Sequence, residues 1–111
     1  MESIERSVLA TVLMHDTYTS VESDRIMNIE LYEEWFSVHP YKLIVKIINH
    51  MKMNGKPVYF ELVRKEALSQ GYNLDDIIID IVTANTFSYN TFLAYYNDIK
   101  VSKKKSLMEL V

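Results

Sequence analysis

Cysteine is absent from this 111-residue chain. Disulfide frameworks, zinc–cysteine sites, iron–sulfur clusters and thiol nucleophiles are thereby excluded. The absence suits a reducing compartment, and a cytoplasmic location is expected. Glycine and proline occur only twice each, which rules out collagen-like, linker and low-complexity readings. Two glycines are too few for a dinucleotide-binding fingerprint or a P-loop, and neither motif is present. A self-contained ATPase or dinucleotide enzyme is therefore not expected. The opening MESIERSVLATVLMHD carries acids early and has no basic region ahead of its apolar stretch, unlike a secretory signal. No run approaches the roughly 20 apolar residues of a membrane span, so no membrane contact is expected. Excess charge is also scarce. The formal net charge is −3, but residues 98–111 hold four lysines against Asp98 and Glu109, while the remainder carries −5. A globally basic nucleic-acid binder is not supported.

The chain does have the balance of a globular domain, with 49% hydrophobic and 24% charged residues. One core with a radius of gyration of about 13 Å is expected. Helical periodicity dominates. Ile4, Val8, Leu9, Val12 and Leu13 form one stripe behind Ser3 as a candidate N-cap, running to about His15. Residues 16–20 read as a polar break, and Ser23 or Asp24 as the cap of a short helix bearing Ile26 and Met27. Trp35 and Phe36 are expected in the core. Residues 39–53 form the clearest helix, with Ser37 as cap, Pro40 in the first turn and a wide apolar face that predicts a central position. Gly55 suits the left-handed position after that helix, and Pro57 cannot continue it. A further helix is predicted over residues 58–68, closed by Gly71. Asn73 then caps another, with Asp75 and Asp76 in its first turn and Ile77, Ile78 and Ile79 behind them. Three isoleucines in a row also suit a strand, but the acidic cap favours a helix. Residues 83–90 read as a loop. A last helix from Tyr89 or Asn90 carries Phe92, Tyr95, Tyr96, Ile99, Leu107, Met108 and Leu110, and its apolar pattern is still running at Val111.

The search for chemistry is sparse. His15, His39 and His50 lack the spacing of a zinc site and read as helix-end or surface histidines. Asp75 and Asp76 suit a helix N-terminus. Asp80 falls among isoleucines and needs a donor if buried. No catalytic, cofactor-binding or metal-ligating residue is assigned. Eight tyrosines are many for this length. Tyr89, Tyr95 and Tyr96 cluster with Phe87 and Phe92, which suits core packing, a protein interface, or base stacking beside Lys100–Lys105. Lys103-Lys104-Lys105 alone reads as a solvated helix face.

Four stretches in order resemble the N-terminal domain of the DnaB-type replicative DNA helicase. They are Ile4-Glu5-Arg6-Ser7-Val8-Leu9-Ala10, then Trp35-Phe36-x-x-His39-Pro40-Tyr41, then Asn54-Gly55-Lys56-Pro57-Val58, and finally Tyr95-Tyr96-x-x-Ile99 through Lys105-Ser106-Leu107-x-x-Leu110. The chain departs from the family at Ala10, where Gly is usual, at Tyr59, where Asp is common, and in lacking a glycine-rich turn before residue 83. The resemblance implies an all-α fold: a compact bundle of about five to six helices in a head, residues 1–88, and the start of a C-terminal helical hairpin arm, residues 89–111, expected to be truncated. It implies a non-catalytic collar domain of the replication machinery that self-associates through its arm and docks primase or a helicase loader, with at most weak DNA contact. Phe92, Tyr95, Tyr96, Ile99, Lys103, Leu107 and Leu110 are the partner-interface residues this implies. The primase C-terminal helicase-binding domain has a related fold, and it or a freestanding helicase-binding regulator is the nearest alternative. A small nucleic-acid-binding domain using the Lys100–Lys105 face is a second alternative, of another class. A small Asp-centred enzyme ranks last.

Overall fold

The computed structural model describes residues 2–83 and 88–109, with side chains for 3–83 and 88–102. The described residues are all-helical, with no strand. Six α-helices follow one another: α1 (Glu2–Leu13), α2 (Ser20–Met27), α3 (His39–Met53), α4 (Phe60–Ser69), α5 (Asp75–Thr83) and α6 (Tyr89–Glu109). Short 3-10 turns occupy His15–Thr17 and Glu33–Trp35. The radius of gyration is 13.6 Å.

The hub is α1, which touches α2, α3, α5 and α6. Every residue from Ser7 to Leu13 is buried, so the helix is covered on all sides rather than along one stripe. Its hydroxyls survive this burial by bonding backward. Ser7 Oγ donates to the Ser3 carbonyl at 2.8 Å, and Thr11 Oγ1 to the Ser7 carbonyl at 3.0 Å. Ser3 is therefore a first-turn residue and not the N-cap expected for it, because the helix already begins at Glu2.

The second helix starts earlier than the Ser23 or Asp24 cap predicts. Glu22 N–H donates to Thr19 Oγ1 at 3.2 Å, while Thr19 N–H reaches Glu22 Oε1 at 3.4 Å. This reciprocal capping box satisfies two otherwise orphaned donors, and it outcompetes the later start. Its buried anchor is Ile26.

The bounds predicted for α3 are the observed ones, and its inner face buries Tyr41, Ile44, Val45, Ile47, Ile48 and Met51. Burying each such side chain is worth roughly 1.5–3 kcal/mol. It packs on α1, α4 and the 33–35 turn, so it flanks the hub rather than forming it. Ser37 is not its cap. The N-cap is Val38, which makes no side-chain cap bond. Gly55 takes the left-handed conformation, φ 66°. Gly55 N–H then bonds the Lys52 carbonyl at 3.1 Å and Lys56 N–H the Met51 carbonyl at 2.9 Å, closing the helix in a Schellman motif. The same motif ends α4 at Gly71, φ 89°, with Tyr72 N–H on the Ala67 carbonyl at 2.9 Å.

Asn73 Oδ1 accepts from Asp75 N–H at 3.2 Å ahead of α5, as the sequence predicts. That helix buries Ile78 and Ile81 but leaves Ile79 47% exposed. Residues 84–87, including Phe87 and half of the predicted loop, lie outside the described residues. The helix α6 starts at Tyr89 and lies along α1 and the 33–35 turn. Phe92 and Ile99, each 1% exposed, belong to the same core as Leu9 and Phe36.

Candidate protein-docking face

The connection between α2 and the 33–35 turn contains neither Gly nor Pro, yet it is held at three consecutive carbonyls. Lys52 Nζ donates to Ile29 O at 3.1 Å, Tyr96 Oη to Glu30 O at 2.7 Å, and Asn49 Nδ2 to Leu31 O at 2.8 Å. Two of these donors come from α3 and one from α6, so both helices fix this stretch of backbone. Burial pushes the Lys52 ammonium below its usual range, and the nearby Glu30 charge opposes that only in part.

Outside these anchors runs an aromatic ladder. Tyr32 meets Trp35 edge-on with ring centroids 4.8 Å apart, and Trp35 lies 6.0 Å from Tyr96. Tyr96 stacks on Phe92 at 6.2 Å, and Phe92 neighbours Tyr89 at 6.3 Å. Offset and edge-on rings at these separations attract beyond their buried area. Phe92 is buried within the ladder, whereas Tyr32 at one end is 41% exposed. Tyr32 Oη donates to the Glu30 carboxylate at 2.8 Å. That bond, then the carboxylate's charge, raises the phenol above its usual value. The Tyr96 phenol is also raised, by burial first, with its bond to the Glu30 carbonyl acting the other way. Glu30, Glu33 and Glu34 are all exposed beside the rings. Among the described residues none of the three is in an ion pair. Below Tyr32 an open groove of about 460 Å³ runs between the connection and α3, with Met27, Ile29 and the 88%-exposed Met53 on its walls.

The structure therefore divides the predicted interface residues. Phe92 and Ile99 are in the chain's own core and present nothing to a partner. Tyr95 and Tyr96 are half-buried. Lys103 and Leu107 lie on the helical backbone of α6 with side chains outside the described residues, and Leu110 lies outside them altogether. Sequence reasoning missed Glu30, Tyr32 and Trp35 as one surface. The available signal was the run Glu30-Leu31-Tyr32-Glu33-Glu34-Trp35, in which large rings alternate with acids.

The other candidates resolve into structural roles. His15 lies at a helix end, as expected, but it is 7% exposed and bonded at both ring nitrogens, so it is not a surface residue. Its Nε2–H donates to Val58 O at 2.6 Å, and Nδ1 is hydrogen-bonded to Ser23 Oγ at 2.5 Å. The ring stacks on Tyr59 at 5.0 Å. His15 thus joins the end of α1, α2 and the segment before α4. Asp80 is exposed rather than sunk among isoleucines, and Arg6 lies 3.5 Å from it. Asp75 pairs with Arg64 at 3.3 Å. Among the described residues no three His, Asp or Glu side chains converge as metal ligands, and no helix is long and apolar enough to cross a membrane.

Comparison with protein-family models, curated proteins and solved structures returns no match.

Proposed function

We propose that this chain is a non-catalytic protein-interaction domain of the DNA replication machinery, of the helicase-collar kind, acting in the cytoplasm. The observation that carries the reading is the dual role of α6. The helix is seated in the head by Phe92 and Ile99 and then runs on to Glu109. A helix anchored in this way carries a binding surface outward on a rigid base. The collar reading calls for such an arm, which pairs with another copy and leaves the head to dock primase or a loader. The ladder of exposed Tyr32 with half-buried Trp35 and Tyr96 supports protein docking further, since Tyr and Trp are among the side chains that most often anchor protein interfaces. Its acids oppose phosphate and work against nucleic acid on this face.

Sedimentation equilibrium of the chain, alone and with the C-terminal domain of a bacterial primase, tests the proposal. Self-association or a stable complex is the expected result. A chain that stays monomeric at all concentrations and ignores primase overturns it.

A further inference from the structure

The 28–35 face has three exposed carboxylates and an open groove with Met27, Ile29 and Met53 on its walls, and the same chain carries a basic helix segment. We propose that two copies associate reciprocally, the lysine-bearing end of α6 in one copy lying along the Glu30–Glu34 face of the other. The inference rests on the self-association just proposed and names the surface that receives the arm.

The first argument is charge. Glu33 and Glu34 are exposed and unpaired among the described residues, and Glu30 is engaged only by the Tyr32 hydroxyl. Two ammonium groups beside this face make no ion pair with its carboxylates among the described residues, although the Glu30 charge acts on Lys52. Lys42 Nζ points to the Glu33 backbone carbonyl at 3.4 Å and Lys52 Nζ to the Ile29 carbonyl. The complementary charge lies at the other end of the chain, in Lys100, Lys103, Lys104 and Lys105. Lys100 is exposed and makes no ion pair among the described residues. Complementary potentials of this kind select partners and set their register.

The second argument is shape. An open groove of about 460 Å³ between the connection and α3 sets Met27, Ile29 and the 88%-exposed Met53 beside the polar Asn28, Asn49 and Lys52, and so offers apolar contacts to an incoming helix. The α6 segment following Lys105 is Ser106-Leu107-Met108-Glu109, so the basic run is followed at once by two large apolar residues. Cations followed by apolar residues complement a surface that sets exposed carboxylates beside apolar side chains. The third argument is symmetry. An arm and a receiving face on one chain close a two-fold dimer when each arm reaches the partner's head, and no edge is left for further growth.

The test is a charge exchange read by sedimentation equilibrium of the full chain. One variant carries Glu33→Lys and Glu34→Lys, the other Lys103→Glu and Lys104→Glu. Glu33 and Glu34 make no ion pair among the described residues, and far-ultraviolet circular dichroism checks the fold of each variant. Each variant alone is expected to self-associate at least about tenfold more weakly than the parent chain, because like charges then meet at the contact. An equimolar mixture of the two is expected to recover a heterodimer at parental strength, since one of its two contacts is parental and the other has both charges exchanged. The neutral pair Glu33→Gln and Glu34→Gln is expected to fall between. A parent chain that dimerises while both variants dimerise equally well, or a mixture that shows no recovery, overturns this docking mode and leaves self-association standing. A parent chain that is monomeric overturns both.

Discussion

Ser37 is an exposed serine whose replacement by alanine is expected to destabilise the fold far more than its position suggests. Surface substitutions usually stay within about 0.5 kcal/mol. Here the Ser37 hydroxyl donates to Glu5 Oε2 at 2.6 Å and its N–H to Glu5 Oε1 at 2.7 Å. Glu5 itself is completely buried, and no cation pairs with it among the described residues. Its carboxylate depends on these two donors and on the nearby N-terminus of α3, whose dipole favours a negative charge. Bonds to a charged group net roughly 1.5–3 kcal/mol each, and an under-satisfied buried charge costs more than an exposed donor left to water. Ser37→Ala strands the carboxylate with one donor, for an expected loss of about 2–3 kcal/mol. Glu5→Ala removes both bonds but also the buried charge, and Ser37 then turns to solvent, so its loss should be similar rather than double. Glu5→Gln keeps an acceptor for the N–H and should cost about 1 kcal/mol. The double variant should be scarcely worse than Glu5→Ala alone. Urea unfolding reads this directly. With a slope of roughly 1–3 kcal/mol per molar, Ser37→Ala lowers the midpoint by about 1 M. A Ser37→Ala midpoint equal to the parent's, or losses in the double variant that simply add, would refute the reasoning.

Gly55→Ala is expected to cost about 1 kcal/mol, all of it from the backbone. An added Cβ meets nothing within 4 Å, but φ is +66°. Thermal unfolding should therefore fall by about 4 °C, with no change in α3 content. Tyr96→Phe keeps the ring in the ladder and removes only its bond to the Glu30 carbonyl. A loss of about 1 kcal/mol is expected, together with faster amide exchange confined to residues 28–33. The Glu66 carboxyl is held below its usual 4.5, first by the Lys56 ammonium at 2.7 Å and then by the Ser69 hydroxyl at 3.0 Å. Because the folded value lies below the unfolded one, this contribution is present above about pH 4.5 and disappears as the pH falls through the folded value. Acid titration of stability should flatten in that window in Lys56→Met, and an unchanged profile would disprove the link.

What was legible in the sequence was punctuation. Helix α3 was bounded correctly because Pro40 and Gly55 mark its ends by covalent geometry, and those constraints are local. Gly71 and Asn73 worked for the same reason. The start of α2 was misread because two signals competed. Ser23 and Asp24 are good cap types, but only Thr19 has a glutamate three residues on to complete the box. The central place of α1 was hidden because seven buried positions in succession include Ser7 and Thr11, which look polar until their hydroxyls fold back on the preceding turn. For the candidate site, Tyr96 was readable as an aromatic anchor from its cluster. Its partners Glu30 and Trp35 were not, since a bond spanning 66 residues leaves no periodic trace.

The same limit applies to the two buried polar side chains that tie the head together, Glu5 and His15, and it bears on the proposed docking face. Glu5 reaches 32 residues along the chain and His15 reaches 43. Each joins α1 to the start of a later helix, where unpaired polar groups concentrate. The 28–35 connection follows the same logic with the roles reversed, since its backbone supplies the acceptors and α3 and α6 supply the donors. A surface stretch of this kind would ordinarily lose freedom on meeting a partner, and that loss subtracts from affinity. With three adjacent carbonyls already bonded, the backbone that leads to Tyr32, Trp35 and the acids is held before any partner arrives. The connection also couples the two halves of the proposed contact. Tyr96 lies one helical turn before Lys100 on α6, so the hydroxyl that fixes the receiving face also fixes the direction in which the arm leaves the head.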